Sequence, residues 1–343
     1  MQSHYKNLTA TQEAEQAWTT LEQAEGVFFD LDGCVYFGER IAEGAGELLQ
    51  ALRGQGKRVR FVTNNSTDSG EQVAARLARM GLEAQPEHIM TATELVGVHL
   101  FRQAGPLKLK AVGSQSLHAA LERAGHRVLP LDSKQRVDMV VFGRDTTFSY
   151  AKLAAVLEEA ERGTPVLGTN LDLHHPGVKG RVPETGALYA PVELILGRKL
   201  EAFGKPAPHM FRLTMEQCGI ARPDLCVMVG DNLYTDVAGG RAAGMRTFWL
   251  YGPSLASSSG LPAAADPAAS PASAPASTAL IAAPAAAIPA TTASTASVSA
   301  ATGIPSAPTA APAIPRDAVL PDHAVRDLMA LASTIGAAGT SGM

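Results

Sequence analysis

Cysteine is scarce in this chain, aromatic side chains make up only 5% of it, and it has no long uninterrupted apolar run. The three cysteines, Cys34, Cys218 and Cys226, show no C-x-x-C or Cys/His ligand spacing, so neither a disulfide framework nor a structural zinc site is indicated. Free thiols fit a reducing compartment. No run reaches the roughly 18 apolar residues that a membrane-spanning helix needs. The first six residues lack the charged-then-apolar layout of a signal peptide, so the expected location is the cytoplasm. A formal net charge of −4 gives no electrostatic case for nucleic acid. No G-x-G-x-x-G follows the first expected strand, which argues against a dinucleotide-dependent oxidoreductase.

What the chain does have is 343 residues, 46% of them apolar, enough for two domains with substantial cores. Short apolar runs alternate with helical periodicity. Residues 26–31 read as a buried strand ending in acids, and 44–54 as a helix with Leu48, Leu49 and Leu52 inward. Residues 58–63 read as the next strand, followed by a helix starting at Asp68 and ending at Gly81. A strand over 226–230 precedes a helix reaching Ala243. Such alternation implies an α/β fold, a doubly wound parallel sheet whose ligands bind outside the carboxyl ends of the strands.

The stretch between the second and third chemical segments is too long for a loop and carries its own strand and helix pattern. We read a second α/β domain, residues 104–200, inserted into a core formed by 26–103 and 201–253. Residues 1–25 form an N-terminal extension, and residues 316–343 a last core element and tail, with a capped helix over 321–331 packing inward through 325, 328, 329 and 331. Between 254 and 315 the chain is Ala, Pro, Ser and Thr with Asp266 the only charge, and repeated prolines interrupt every candidate turn. A disordered linker is expected there.

Four segments carry chemistry, in this order: Phe29-Asp30-Leu31-Asp32-Gly33, Val62-Thr63-Asn64-Asn65-Ser66, Gly204-Lys205-Pro206, and Gly230-Asp231-Asn232 with Asp236. Phosphate monoesters are among the slowest bonds to hydrolyse, and covalent catalysis by a carboxylate is one solution. Asp30, at a strand end, suits a nucleophile. Asp32, two residues on, suits a proton donor to the leaving oxygen and later a base toward water. Thr63 and Asn64, between a strand and a helix, offer a hydroxyl and amides to an anion. Lys205, in a turn, suits charge neutralisation. Asp231 can complete a magnesium site with Asp30, since Mg²⁺ prefers oxygen ligands and keeps several waters. Asn232 and Asp236 would support it from behind. Each segment alone reads equally well as ordinary capping or a solvated surface; all four together, each after a strand or in a turn, do not.

These residues resemble the haloacid dehalogenase superfamily of phosphatases, in the branch of para-nitrophenyl phosphatases, NagD-type nucleotide phosphatases and phosphoglycolate/pyridoxal phosphatases. The resemblance spans residues 26–252 and returns at 321–331, and includes Gly168-Thr169-Asn170-Leu171-Asp172 and Thr185-Gly186-Ala187-Leu188. It implies Asp30 as nucleophile, Asp32 as acid/base, Thr63 and Asn64 as phosphate ligands, Lys205 as charge clamp and Asp231 as metal ligand. It also implies that the main-chain oxygen of Asp32 binds Mg²⁺ and that the inserted domain is a cap closing over the site; related enzymes often form a homodimer through that cap, which leaves the oligomeric state open here. The candidate for reading the leaving group is Asp172-Leu173-His174-His175-Pro176-Gly177, with Asp172, His174 and His175 as its polar members. The same histidines could instead suggest a metal site, though adjacent residues rarely converge on one ion. Cys34 stands where relatives often carry Val or Thr and suggests sensitivity to oxidation. Glu184 replaces a usual Gly, which bears on local turn shape, and Glu43 replaces a usual Pro. The expected function is Mg²⁺-dependent hydrolysis of small phosphomonoesters, such as phosphoglycolate, nucleoside monophosphate, pyridoxal phosphate or sugar or glycerol phosphate. The alternatives are a phosphotransferase and a non-catalytic phospho-acceptor or scaffold.

Overall fold

In the computed structural model of the chain, residues 10–177, 180–252 and 318–338 are described. The Ala/Pro-rich stretch 254–315 lies outside them. Helix α1 (Ala10–Gln23) leads into strand β1 (Gly26–Phe29), a small hairpin of β2 (Tyr36–Phe37) and β3 (Arg40–Ile41), helix α2 (Ala45–Gly54) and strand β4 (Arg58–Thr63). Helix α3 (Gly70–Arg79), strand β5 (Ile89–Thr91) and helix α4 (Ala92–Ala104) follow. Next come β6 (Lys108–Val112), α5 (Gln115–Arg123), β7 (Arg127–Leu129), β8 (Met139–Phe142), α6 (Tyr150–Glu161), β9 (Val166–Gly168), a hairpin of β10 (His174–Gly177) and β11 (Gly180–Pro183), α7 (Thr185–Leu196) and β12 (Glu201–Ala202). The chain then forms α8 (His209–Gln217), β13 (Cys226–Gly230), a π-helical turn Leu233–Val237 continuing as α9 (Ala238–Ala242), β14 (Arg246–Leu250), β15 (His323–Val325) and α10 (Leu328–Ala338).

Two parallel sheets result. One has the order β15-β14-β13-β1-β4-β5, the other β12-β9-β8-β6-β7. In the first, alternate residues of each strand face opposite helical layers, as the two-residue period of a strand dictates. Val27, Phe29, Phe61, Val227 and Val229 pack with Leu21 of α1, Leu48 and Leu52 of α2, Leu77 of α3 and Leu331 of α10. Phe28, Val62 and Met228 pack on the other face with Leu95 of α4 and Met210 and Phe211 of α8. That second cluster runs on into Leu109 and Val141 of the inserted sheet and Leu117 of α5, so α4 is packed by both units. Among the described residues, no helix is long and apolar enough to cross a membrane.

Three expectations need correction. Helix α3 is capped by Ser69, not Asp68: Ser69 accepts from Gln72 N while the Gln72 side chain accepts from Ser69 N. Residues 323–325 form an edge strand beside β14 instead of a helix. The helix starts at Leu328, with Asp327 accepting from Ala330 N at 2.8 Å, and Met329 is exposed instead of inward. Third, the candidate cap loop is mostly strand, because His174 and His175 pair with Pro183 and Val182 in the β10–β11 hairpin. The N-terminal extension also has a structural part. Trp18 and Leu21 of α1 are buried in the main core, and Tyr251 Oη donates to Glu13 Oε2 at 3.0 Å.

Candidate active site

Three neighbouring strands of the core sheet, β13, β1 and β4, end side by side, and each releases a chemical group at its carboxyl end: Asp231, Asp30 and Thr63. Asp30 N donates to Val229 O at 2.9 Å, so the strand ladder fixes the backbone up to the carboxylate. Gly33 turns the chain back with φ +86°, and a Cβ there would lie 2.4 Å from Asp231 Oδ2. Only glycine lets the Asp231 carboxylate lean over this turn. Trp249 Nε1 holds the Asp231 main-chain oxygen at 3.0 Å.

Lys205 reaches this cluster from the turn after β12. Asn64 clamps that turn on both sides: its Oδ1 accepts from Lys205 N at 2.8 Å and its Nδ2 donates to Lys205 O at 3.0 Å. Gly204 is required by the same clamp, since a Cβ would sit 2.6 Å from Asn64 Oδ1. The buried Lys205 Nζ lies 2.7 Å from Asp30 Oδ1, 2.6 Å from Asp236 Oδ1 and 3.1 Å from Val62 O. Burial alone would lower the ammonium, but Asp236 and Asp30 outweigh it and hold Lys205 above its ordinary range. Asp236 also accepts from Asn232 N at 3.1 Å, and Asn232 Oδ1 caps the following turn through Tyr234 N and Thr235 N.

Oxygens of Asp30, Asp231 and Asp236 all lie within 4.8 Å of one another. One ammonium among three carboxylates leaves the cluster with excess negative charge. Burial and the neighbouring Asp236 and Asp30 charges push Asp231 well above the usual carboxylate range, and burial with Asp30 pushes Asp236 up to about 7. Hard oxygen donors with uncompensated charge fit a divalent cation of the magnesium type.

Asp32 stands at the open side of the cluster. Enough protein surrounds its carboxyl that desolvation raises it, against a 2.6 Å hydrogen bond donated by Tyr36 Oη. Thr63 is buried, its hydroxyl accepting from Asn65 N at 3.1 Å. The cap contributes unequally. Asp172 is hydrogen-bonded to Asn64 and near enough to feel Lys205 and Asp30; burial first, then Asp30 and Glu184, push it up to about 6. His175 lies within electrostatic reach of Asp32. His174 is exposed and, as the adjacent strand residue, falls on the opposite face. Cys34 corrects an expectation. It is fully buried, its thiol points to Val229 O at 3.6 Å, and burial together with Asp30 and Asp231 keeps it protonated and unreactive. Glu43 is exposed, and Glu184 has extended backbone (φ −112°, ψ −177°) that any residue adopts. Tyr36, Trp249, Arg76 and Arg144 were not singled out from sequence, because single aromatic and basic side chains carry no spacing signal.

The haloacid dehalogenase-like hydrolase profile matches residues 27–127, and a second HAD-hydrolase-like profile matches 202–253. Chronophin of Rattus norvegicus is 38% identical over 237 residues, covering 66% of this chain and 76% of the relative. The chain belongs to the haloacid dehalogenase-like hydrolases. Among solved structures, the 4-nitrophenylphosphatase of Thermotoga maritima superposes with a TM-score of 0.63 at 29% identity, covering 67% of this chain and 87% of that one. A glycerol phosphate phosphatase of Mycobacterium tuberculosis, in complex with magnesium, gives 0.63 at 28% identity, covering 67% and 69%. The chain is a phosphoric monoester hydrolase of this haloacid dehalogenase-like family.

Proposed function

We propose that the chain hydrolyses small-metabolite phosphomonoesters with Mg²⁺ through an aspartyl-phosphate on Asp30. The observation that carries this reading is the Lys205 ammonium shared between Asp30 and Asp236, with Asp231 alongside and Asp32 two residues beyond the nucleophile. The Asp30 carboxylate attacks phosphorus, and the bond to the leaving oxygen breaks. Asp32, whose raised carboxyl favours the protonated form, gives that oxygen its proton. Asp32 then takes a proton from water, whose oxygen attacks phosphorus, releasing phosphate and restoring Asp30. Lys205 holds the Asp30 carboxyl in place through its 2.7 Å contact. Thr63 and the main-chain amide of Asn64 would receive phosphate oxygens, the Asn64 side chain being engaged with Lys205. The Asp30 and Asp231 carboxylates and the Asp32 main-chain oxygen would hold the Mg²⁺, which supplies charge stabilisation for the transferring phosphoryl group. Asp236 and Asn232 support this set from behind.

The cap would close over the site and exclude water during transfer. A homodimer through the cap is part of the same proposal, supported by the exposed Tyr150, Leu194 and Ile195 on its helices α6 and α7. A phospho-acceptor role alone would leave Asp32 and its Tyr36 bond without a task. The test is phosphate release from para-nitrophenyl phosphate and a panel of small phosphomonoesters, with Mg²⁺ and with EDTA. Metal-dependent release is expected, and Asp30→Asn should reduce it by ~10³-fold or more. Near-normal turnover by D30N, or transfer to a hydroxyl other than water, would overturn the assignment.

A further inference from the structure

Glu184 stands at the N-cap position of α7, but its side chain makes no capping bond there. Its Oε1 instead accepts from His175 Nδ1 at 2.6 Å and Arg144 Nη1 at 3.2 Å. The three residues come from three elements, the loop after β8, strand β10 and the start of α7, so the sheet and hairpin must both be formed to bring them together. The cluster faces the catalytic centre. Thr185, the next residue, meets Ser66 of the phosphate turn, hydroxyl to hydroxyl, at 3.0 Å. Gly186 N donates to Asp172 O at 2.8 Å, and the charges of His175 and Glu184 act on Asp32 and Asp172 respectively.

Two cationic or proton-donating side chains beside the amino end of a twelve-residue helix would ordinarily attract an anion. Here the anion is built in. We propose that Glu184 sets leaving-group selectivity, so that the site favours phosphomonoesters of neutral, hydroxyl-bearing alcohols over those carrying a second anionic group. This inference rests on the phosphatase reading above. A substrate carboxylate or second phosphate entering beside His175 and Arg144 meets a carboxylate that already holds both donors. It must compete with Glu184 for these donors and suffers like-charge repulsion. A hydroxyl fares differently. A carboxylate can only accept, so His175 carries its proton on Nδ1, and Nε2 has no partner among the described residues. A hydroxyl of a polyol or sugar both donates and accepts, so it pairs with that nitrogen whichever role the ring takes.

The test compares glycerol 1-phosphate with 2-phosphoglycolate in wild type, E184Q and E184G. The wild type should favour the polyol ester in kcat/KM, and both variants should shift the ratio toward phosphoglycolate by about tenfold or more, mainly through its KM. Glu184→Asp, which restores the charge, should recover much of the original preference. The same ratio read as dissociation constants by calorimetry in D30N and D30N/E184Q needs no turnover. Failure of the phosphatase reading therefore shows as silence on para-nitrophenyl phosphate while the binding ratio still decides this proposal. A wild type that binds and turns over phosphoglycolate better, or a ratio that neither E184Q nor E184G moves beyond about threefold, would overturn it.

Discussion

Tyr36 Oη donates to Asp32 Oδ2 at 2.6 Å, and the ring that carries it is buried beneath the Arg76 guanidinium, 4.7 Å from the ring centroid. Arg76 is itself tied to Gly38 O at 3.1 Å, in the turn of the β2–β3 hairpin. The acid/base candidate is therefore held by a residue four positions along and, through it, by a helix of the core. The bond favours the ionised form of Asp32, while desolvation favours the neutral form more strongly. The two effects together leave a carboxyl able to give and take a proton in turn.

Removing the phenol hydroxyl isolates one of those effects. In Tyr36→Phe, Asp32 loses the hydrogen bond that lowers it, so its pKa should rise further. The alkaline limb of kcat/KM, which reports the essential acid in the free enzyme, should move to higher pH. The rate at the optimum should fall by about tenfold, because the carboxyl is less well oriented. A pH–rate profile in para-nitrophenyl phosphate checks this. An unmoved or lowered alkaline limb would separate Tyr36 from the acid.

Among the described residues, Lys205 is the only ammonium among the buried carboxylates of the site, and Asp30 and Asp236 share it. Lys205→Met leaves both without a counter-charge, and removal of one partner of a buried pair costs about 3–5 kcal/mol. Urea unfolding in EDTA should show that loss. Added Mg²⁺ should restore part of it, since a divalent cation supplies the missing positive charge. A variant as stable as wild type without metal would mean that these carboxyls need no counter-charge in the metal-free protein.

The chemical centre was legible in sequence because it is built from strand ends. Buried parallel strands read as continuous apolar runs, so 58–63 and 226–230 have the expected bounds and Thr63 and Asp231 fall where they should. The misreadings occur where pairing partners are distant in sequence. His323–Val325 has the composition of a helix start, yet takes its conformation from Phe248–Leu250 across the sheet edge. His174 and His175 look like loop residues until Val182 and Pro183 pair with them. Helix α1 resembled an extension because its core-facing Trp18 and Leu21 have meaning only against α10 and β15. The Glu184–Arg144 contact joins residues forty positions apart, beyond any local spacing rule.

The exposed Leu194 and Ile195 near the end of α7, at 83% and 58%, form an apolar patch that the described residues leave uncovered. If the cap dimerises there, the Leu194→Asp/Ile195→Asp double variant should sediment as a monomer while the wild type sediments as a dimer. A dimer in both would place the interface elsewhere. Stability should change little, by roughly 0.5 kcal/mol or less in the monomer, as expected for exposed positions.

Asp172 makes a pH prediction whose sign can be worked out. Its carboxyl is pushed up to about 6 in the folded protein, by burial first and then by Asp30 and Glu184, against an ordinary value of 3.8. The folded state therefore binds this proton more tightly than the unfolded chain does. The resulting stabilisation is complete below pH 3.8 and is lost as pH rises through about 6, after which the folded protein carries a buried carboxylate. Asp172→Asn cannot titrate and keeps a neutral side chain throughout. Measured without Mg²⁺, the Tm of the wild type should fall relative to D172N between pH 4.5 and pH 7.5, by a few degrees at about 2–4 °C per kcal/mol. Taking the difference between the two proteins cancels the titration of Asp231 and Asp236, which both share. Parallel Tm curves would show that Asp172 is ionised in the folded protein across that range, with Asn64 and Lys205 outweighing its desolvation.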